Sequence, residues 1–407
     1  MNNALRTAGI LLPRHGLEYM KWAVVACDQF TAQPEYWEAV ESWVGDAPSA
    51  LRLTLPEIWL DERETRIPRI HETMRRYLDE GILMDAVQDG FVLVERETRE
   101  GVRPGLLVAL DLEEYDFTPG SKSLIRATEG TVLERVPPRA QIRAGAPVEL
   151  PHVMMLIDDP REMVIEPLFA RRHAFRKLYD FDLMQYGGHI RAWAVEGPSV
   201  QPVFDAIDAL NERADGLLYA VGDGNHSLAA ARQCWLELRG RLSPEERANH
   251  PSRFALVELV NLNCPALKFE PIHRLLTGVE PEAVIAAWRT YLAENGLEAG
   301  EGDDLIALAG DKKWRFRSEQ HPLRALQSFL DGYLAAHPEA GIDYIHDEDA
   351  LRALVAARKD AMGFMPRAFD KAELFPYIRQ WGTLPRKTFS MGHASDKRYY
   401  LEARRIL

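Results

Sequence analysis

Residues 216–235 read GLLYAVGDGNHSLAAARQCW, an apolar run that breaks at a glycine-rich turn before a helical pattern. The apolar residues Leu217 to Val221 run directly into Gly222-Asp223-Gly224-Asn225-His226-Ser227. Leu228, Ala231, Trp235 and Leu238 then recur at helical spacing, with Arg232, Gln233 and Glu237 facing away. The order is strand, glycine-rich turn, helix, with Asn225 or Ser227 placed to cap the helix. Gly222 and Gly224 let the backbone approach a ligand and adopt positive φ. N–H groups opening the helix, together with its dipole, favour an anion there. Asp223 and His226 add a carboxylate and an imidazole, one able to hold magnesium or accept a proton, the other to donate to phosphate. The same residues also suit a plain turn with an N-cap.

Outward from this stretch the chain alternates. GFVLVERE and RPGLLVALDL read as strands joined by a turn at Glu100-Gly101, and HVMMLIDDP and RFALVELVNLNC read as further strands. MKWAVVACDQF and the alternating LRLTLPEIWL are also expected to be strands. PEYWEAVESWVG, RETRIPRIHETMRRYLDEG and SVQPVFDAIDALNERAD carry helical spacing. From about residue 279 the pattern turns helical, in PEAVIAAWRTYLAENG, PLRALQSFLDGYLAAHP and DEDALRALVAARKDA. The expected class is α/β, with α+β as the alternative. Residues 1–278 would form an α/β core with a mixed sheet, and 279–407 a helix-rich part that returns the loop 384–394 to the site.

The 407 residues carry a formal net charge of −13, against the basic footprint of nucleic-acid binders. No apolar stretch approaches the ~18 residues of a membrane span, and MNNALRTAGILLPRHG has no cleavage pattern of a secretory signal. Cys27, Cys234 and Cys264 are far apart and in no metal-like spacing, which fits reduced thiols and a cytoplasmic location. Nor do the histidines recur at the spacing of a zinc site.

Several other stretches carry chemistry. SKSLIRATEGTVLERVPPR (121–139) gathers Lys122, Arg126, Glu129, Thr131, Glu134, Arg135 and Arg139. Arg126 and Arg135 could fork onto phosphate, and Glu129 could act as a base or magnesium ligand. FEPIHRLL places His273 and Arg274 after a strand, and TLPRKTFSMG sets Lys387 and Thr388 between turn residues. Asp28 and Glu57 end strand-like runs, where ligands gather in open α/β sheets, so either could take a proton from a substrate hydroxyl. Asp158-Asp159-Pro160 reads as a turn, and His189 behind two glycines as a hairpin corner.

The ordered set ACDQF, LTLPE, IRATEGTVLER, VGDGNHSLAAAR, FEPIHRLL and LPRKTF resembles the domain of unknown function 1015 family, from about Leu12 to Thr388. More distantly, Asp223-Gly224-x-His226 looks like the D-G-x-H-R turn of the ParB/sulfiredoxin superfamily, which includes free-serine kinases. This resemblance implies a ParB/sulfiredoxin-like core and a nucleotide, ATP or ADP with Mg2+, held at Gly222, Asp223, Gly224, Asn225 and His226. Ser227 replaces the superfamily's usual arginine, so Arg126, Arg135, Arg274 or Lys387 would supply the missing cation, with Ser227 and His273 also among the phosphate-binding residues. The expected function is phosphoryl transfer to or from a small hydroxylated metabolite, free serine or phosphoserine first. Glu57, Glu129, Asp223 and His226 would be the catalytic groups, with Asp28, Thr131 and Thr388 on the substrate. The alternatives are a nucleotide- or phosphometabolite-binding regulatory protein and, disfavoured by charge, a DNA-associated ParB-like protein.

Overall fold

The computed structural model describes residues 3–31, 33–297, 300–318 and 321–407. Its frame is an eleven-stranded mixed sheet. The hairpin Leu83–Thr98 and Gly101–Asp111 forms its middle, with Thr98 paired to Gly101 across Arg99-Glu100. The strands Arg176–Asp182 and His189–Glu196 extend one side. On the other side follow Phe254–Asn261, Met154–Ile157, Tyr219–Asp223, Ile125–Ala127 and Tyr115–Asp116. Pairing is antiparallel through the hairpins. It turns parallel between Phe254–Asn261 and Met154–Ile157, and again between Tyr219–Asp223 and Ile125–Ala127.

The unbroken apolar runs are explained by burial of both sheet faces. Val92, Val94, Leu107 and Ala109 pack into one core with Trp22 and Trp37. Phe91, Leu93, Leu106 and Val108 alternate into the opposite core with Ile207 and Trp235. Trp235 fixes the helix Asn225–Arg239: its ring is fully buried, and its indole N–H donates to Glu113 at 2.7 Å. Burying about 200 Å² of ring contributes roughly 5 kcal/mol before ordering costs.

Two of the expected strands differ. LRLTLPEIWL forms the 3-10 turns Ala50–Arg52 and Glu57–Glu62, the first capped by the Ser49 side chain on the Leu51 N–H. Its alternation is real, since Leu51, Leu53 and Leu55 are buried, but these residues enter a core without pairing in a ladder. In MKWAVVACDQF only Val24–Val25 is a strand, after the helical turn Tyr19–Trp22.

The chain divides into one unit of residues 1–268 with 392–407, and a second of 269–391. The second unit holds the expected helices, as Pro281–Glu294, Leu323–Ala336 and Glu348–Ala356. It also contains a five-stranded sheet of Lys312–Arg317, Gly300–Ala309, Ala361–Pro366, His273–Thr277 and Gly341–Ile345, so it is mixed rather than predominantly helical. Among the described residues no helix is long and apolar enough to cross a membrane.

In the first unit the last residues return to the core. Tyr399–Tyr400 pairs with Val24–Val25, and Arg404–Arg405 with Val148–Glu149. Just before the first of these pairs the buried Arg398 donates to Glu258 and Glu402, while Tyr179 donates to Glu402. Gly105 fits beside this cluster because a Cβ there would run into the buried Glu258 side chain.

Candidate functional site

The strand Tyr219–Asp223 ends at Gly224, which has φ +81° and N-caps the helix Asn225–Arg239 without a side-chain cap. Glycine is needed twice over: the φ is left-handed, and a Cβ would come within 3.0 Å of Val153 Cγ2. The first intrahelical bond runs from Leu228 N–H to Gly224 O at 3.0 Å. The N–H groups of Asn225, His226 and Ser227 therefore have no intrahelical acceptor. Asp223 Oδ1 accepts from the Gly224 N–H at 3.0 Å, and Oδ2 lies 3.3 Å from Lys397 Nζ.

The 121–139 stretch lies alongside. Ile125–Ala127 pairs with Tyr219–Val221, and the buried Thr128 hydroxyl donates to Val221 O at 2.7 Å. Val132 N–H donates to His226 Nε2 at 3.2 Å, which brings the loop carrying the half-buried Glu129 and Thr131 beside the turn. In that bond His226 Nε2 is the acceptor, which puts the proton of the neutral ring on Nδ1.

A cavity of about 150 Å³ adjoins the turn, lined by Ser227 and Leu228 from the helix. Leu53, Leu55, Met74 and Leu256 make much of its wall apolar, and Asp28, Thr54, Glu57, Arg139, His152 and Tyr400 supply polar groups. Glu57 N–H donates to Cys27 O at 2.9 Å, tying the two acidic loops together. Arg139 ion-pairs with Glu57 and donates to Arg135 O at 2.8 Å. Burial favours a protonated Asp28, but His152, Lys397 and Arg139 and the bond from Gln29 outweigh it, holding that carboxyl below the ordinary carboxylate range. Burial pushes the Cys27 thiol up to about 11, so it is protonated at neutral pH. Ser227 Oγ is 3.1 Å from His152 Nε2, and His152 Nδ1 is 2.6 Å from the Tyr400 hydroxyl.

The structure thus joins Asp28, Glu57, Ser227, Asp223 and the 129–131 loop in one region of the first unit. It does not bring the Arg126 guanidinium there. Arg126 is buried, with Nε on Ser123 O and Nη2 on Gly216 O at 2.7 Å, so its guanidinium is drawn toward the start of the strand rather than its end at the turn. Arg135 is exposed ahead of the helix Val136–Arg143.

Four residues belong to the second unit. Arg274 is fully buried and bonds Gln327 Oε1 and the Ile272 and Arg386 carbonyls, a structural use of its fork. His273 is buried, which lowers its basicity. Lys387 is exposed at φ +57°, and the buried Thr388 hydroxyl donates to Pro385 O at 2.6 Å. The loop 384–394 is split, with Gly392 onward in the first unit.

Lys397, His152 and Tyr400 were not legible in advance. Each sits in a short run without periodicity or a motif, and only the return of the C-terminal segment places Lys397 and Tyr400 beside Asp223 and His152. Among the described residues no group of three or more His, Cys, Asp or Glu is arranged to hold a metal ion.

The chain matches the family described as "Protein of unknown function (DUF1015)" over residues 11–339. It belongs to that family. Among solved structures it is similar to a mutant free serine kinase in complex with ADP, at 12% identity and TM-score 0.41, covering 74% of this chain and 92% of that one. A conserved hypothetical protein from Pyrococcus furiosus matches at 12% identity and TM-score 0.36, covering 72% and 90%. A ribosomal RNA small subunit methyltransferase G from Shewanella loihica is 29% identical over 127 residues, 31% of this chain. The match spans 60% of that protein's length.

Proposed function

We propose that the first unit transfers a phosphoryl group between a nucleotide and a small hydroxylated metabolite, with free serine or phosphoserine as the leading acceptor. The observation that carries this reading is the small cavity, about 150 Å³, set beside the strand–glycine–helix turn. A cavity of this size holds a molecule of about six or seven heavy atoms. That suits an amino acid and leaves a nucleotide to lie outside it, with its phosphates on the turn. Residues 222–227 would then act as a ParB/sulfiredoxin-like phosphate turn, their first-turn N–H groups facing the anion. Lys397 and Arg139 take the place of the arginines expected from sequence as neutralising cations. Asp28, ionised and lining the cavity, accepts the acceptor's hydroxyl proton, with Glu57 held by Arg139 as the second carboxylate. Such a reaction relies on positioning and charge neutralisation, which these groups provide.

Asp223, with one oxygen toward Lys397, offers a single carboxylate at the turn. This fits a magnesium ion that arrives with the nucleotide phosphates rather than a resident metal. When bound, magnesium would neutralise charge on the transferring group.

The Lys397–Asp223 and Arg139–Glu57 pairs favour a second reading, a nucleotide-binding regulatory protein without turnover, because both leave charged groups already partnered. Phosphorus NMR of the protein with magnesium, nucleotide and serine separates the two, beside an Asp223→Ala/His226→Ala control. Phosphoserine formed only by the intact turn supports transfer. Nucleotide resonances that broaden without converting support the binding protein and overturn transfer to serine.

A further inference from the structure

Ser227 occupies a position that no other hydroxyl shares among the described residues lining the cavity. It is the third residue of the helix Asn225–Arg239, within the first turn whose N–H groups would meet phosphate, and its side chain also lines the cavity. It therefore faces both sides of the reaction proposed above. Thr54, the other cavity hydroxyl besides Tyr400, is committed to the Ala50 carbonyl at 2.9 Å.

Ser227 is also in line with a base. Its Oγ lies 3.1 Å from His152 Nε2, and Nδ1 of the same ring lies 2.6 Å from the Tyr400 hydroxyl. His152 and Tyr400 are both more than nine-tenths buried, so the ring has little freedom to turn. In the tautomer this role requires, Nδ1–H donates to the Tyr400 oxygen across that 2.6 Å contact. That leaves the Nε2 lone pair facing the serine, the tautomer a base requires. Asp28 lies close enough to interact electrostatically with His152 and would stabilise the imidazolium once formed. A nucleophile, its base and a group orienting the base are the three parts of an activated serine.

We propose that Ser227 is a covalent nucleophile, deprotonated by His152, that carries the phosphoryl group from the nucleotide to the small acceptor. The proposal rests on the phosphoryl-transfer reading and adds an intermediate to it. In the first step Ser227 Oγ attacks the terminal phosphorus of a nucleoside triphosphate. The bond from that phosphorus to the bridging oxygen breaks, the serine proton passes to His152 Nε2, and the nucleoside diphosphate leaves. In the second step the acceptor hydroxyl attacks the phosphoserine phosphorus and gives its proton to Asp28. The Ser227 oxygen departs and recovers its proton from His152. Tyr400 touches neither substrate and is a positioning residue.

The test uses the full chain with magnesium and ATP labelled in the terminal phosphate. Peptide mass spectrometry locates label on the protein without acceptor, and product is measured with serine present. The expected result is phosphate on the peptide containing Ser227, discharged when serine is added. Label should be absent in Ser227→Ala and formed roughly 10²–10⁴-fold more slowly in His152→Gln, the range for loss of a general base. Tyr400→Phe should lower kcat and shift the pH profile of labelling, because the His152 ring loses its partner; loss of active enzyme would lower kcat without moving the profile. A fluorophosphonate probe gives a second readout independent of ATP, with Ser227 labelled in the wild type and labelled more slowly in His152→Gln. Serine phosphorylated by the wild type with no phosphate on Ser227, or with Ser227→Ala retaining full turnover, overturns the nucleophile and leaves the phosphoryl-transfer reading standing. No phosphoserine and no labelled Ser227 by either reagent overturns both.

Discussion

Replacing Arg398 with methionine perturbs the cluster that fastens the C-terminal segment to the first unit. The Arg398 side chain is 3% exposed, and its partners Glu258 and Glu402 are 2% and 0% exposed. Methionine keeps most of the volume and removes the charge, leaving two carboxylates in a space from which water is excluded. Breaking a buried pair in this way costs about 3–5 kcal/mol. Arg103 and Arg96 still favour an ionised Glu258, and the Tyr179 hydroxyl still donates to Glu402, so the lower end of that range is expected. The pH dependence has a definite sign. In the wild type, burial raises the Glu258 carboxyl but Arg398 and Arg103 draw it below the ordinary value, so the group stays ionised into mild acid. Without Arg398, burial is opposed by Arg103 and Arg96 alone, so the Glu258 carboxyl rises relative to the wild type and the variant's deficit narrows as the pH falls, by up to about 1.4 kcal/mol per pH unit for one proton. The assay is hydrogen exchange read by mass spectrometry on the strands Met154–Ile157 and Phe254–Asn261, which report opening of the first unit alone. A loss below about 1 kcal/mol at pH 7.5, or a deficit that widens in acid, would refute the reasoning.

Gly224→Ala should cost at least about 1–2 kcal/mol from the left-handed φ alone, with the Val153 contact adding to it, and should weaken nucleotide binding in calorimetry. Unchanged stability and binding would mean that the turn relaxes easily. Lys397→Met removes a cation only 10% exposed beside Asp223, and nucleotide affinity should fall on the order of tenfold, about 1.4 kcal/mol. Unchanged affinity would place the phosphates elsewhere. In the second unit, burial and the Arg367 charge lower His321 to about 4, against an unfolded value of about 6.5. Its neutral ring bonds the Arg367 carbonyl and accepts from the Leu323 N–H. Stability from this group is full above about pH 6.5 and lost as the pH falls through 4, by at most about 3 kcal/mol. The difference between wild type and His321→Gln across that window, read by hydrogen exchange in the helix Leu323–Ala336, isolates it.

Local sequence determined the elements whose pattern is self-contained. The stretch around 222–227 announced its strand, its turn and its helix, because an apolar run, a left-handed glycine and a 3.6-residue periodicity act within a few residues of one another. The hairpin at 98–101 was legible for the same reason. LRLTLPEIWL misled because alternation records which side chains are buried and not whether a neighbouring strand exists to pair with. Asp28 and Glu57 could be singled out as carboxylates ending apolar runs. Their meeting at one cavity required the bond from Glu57 to the Cys27 carbonyl, a long-range contact. The fate of the arginines was least legible. Arg126 and Arg274 look like phosphate ligands in a string of letters, yet both forks are bound to carbonyl groups inside the fold. The cation that reaches Asp223 and the ring that reaches Ser227 come from Lys397 and His152, remote in sequence. Composition and periodicity determined the α/β class, the buried sheet and the turn. Tertiary structure decided which charges face the turn, because that depends on where a buried ion cluster anchors the returning chain.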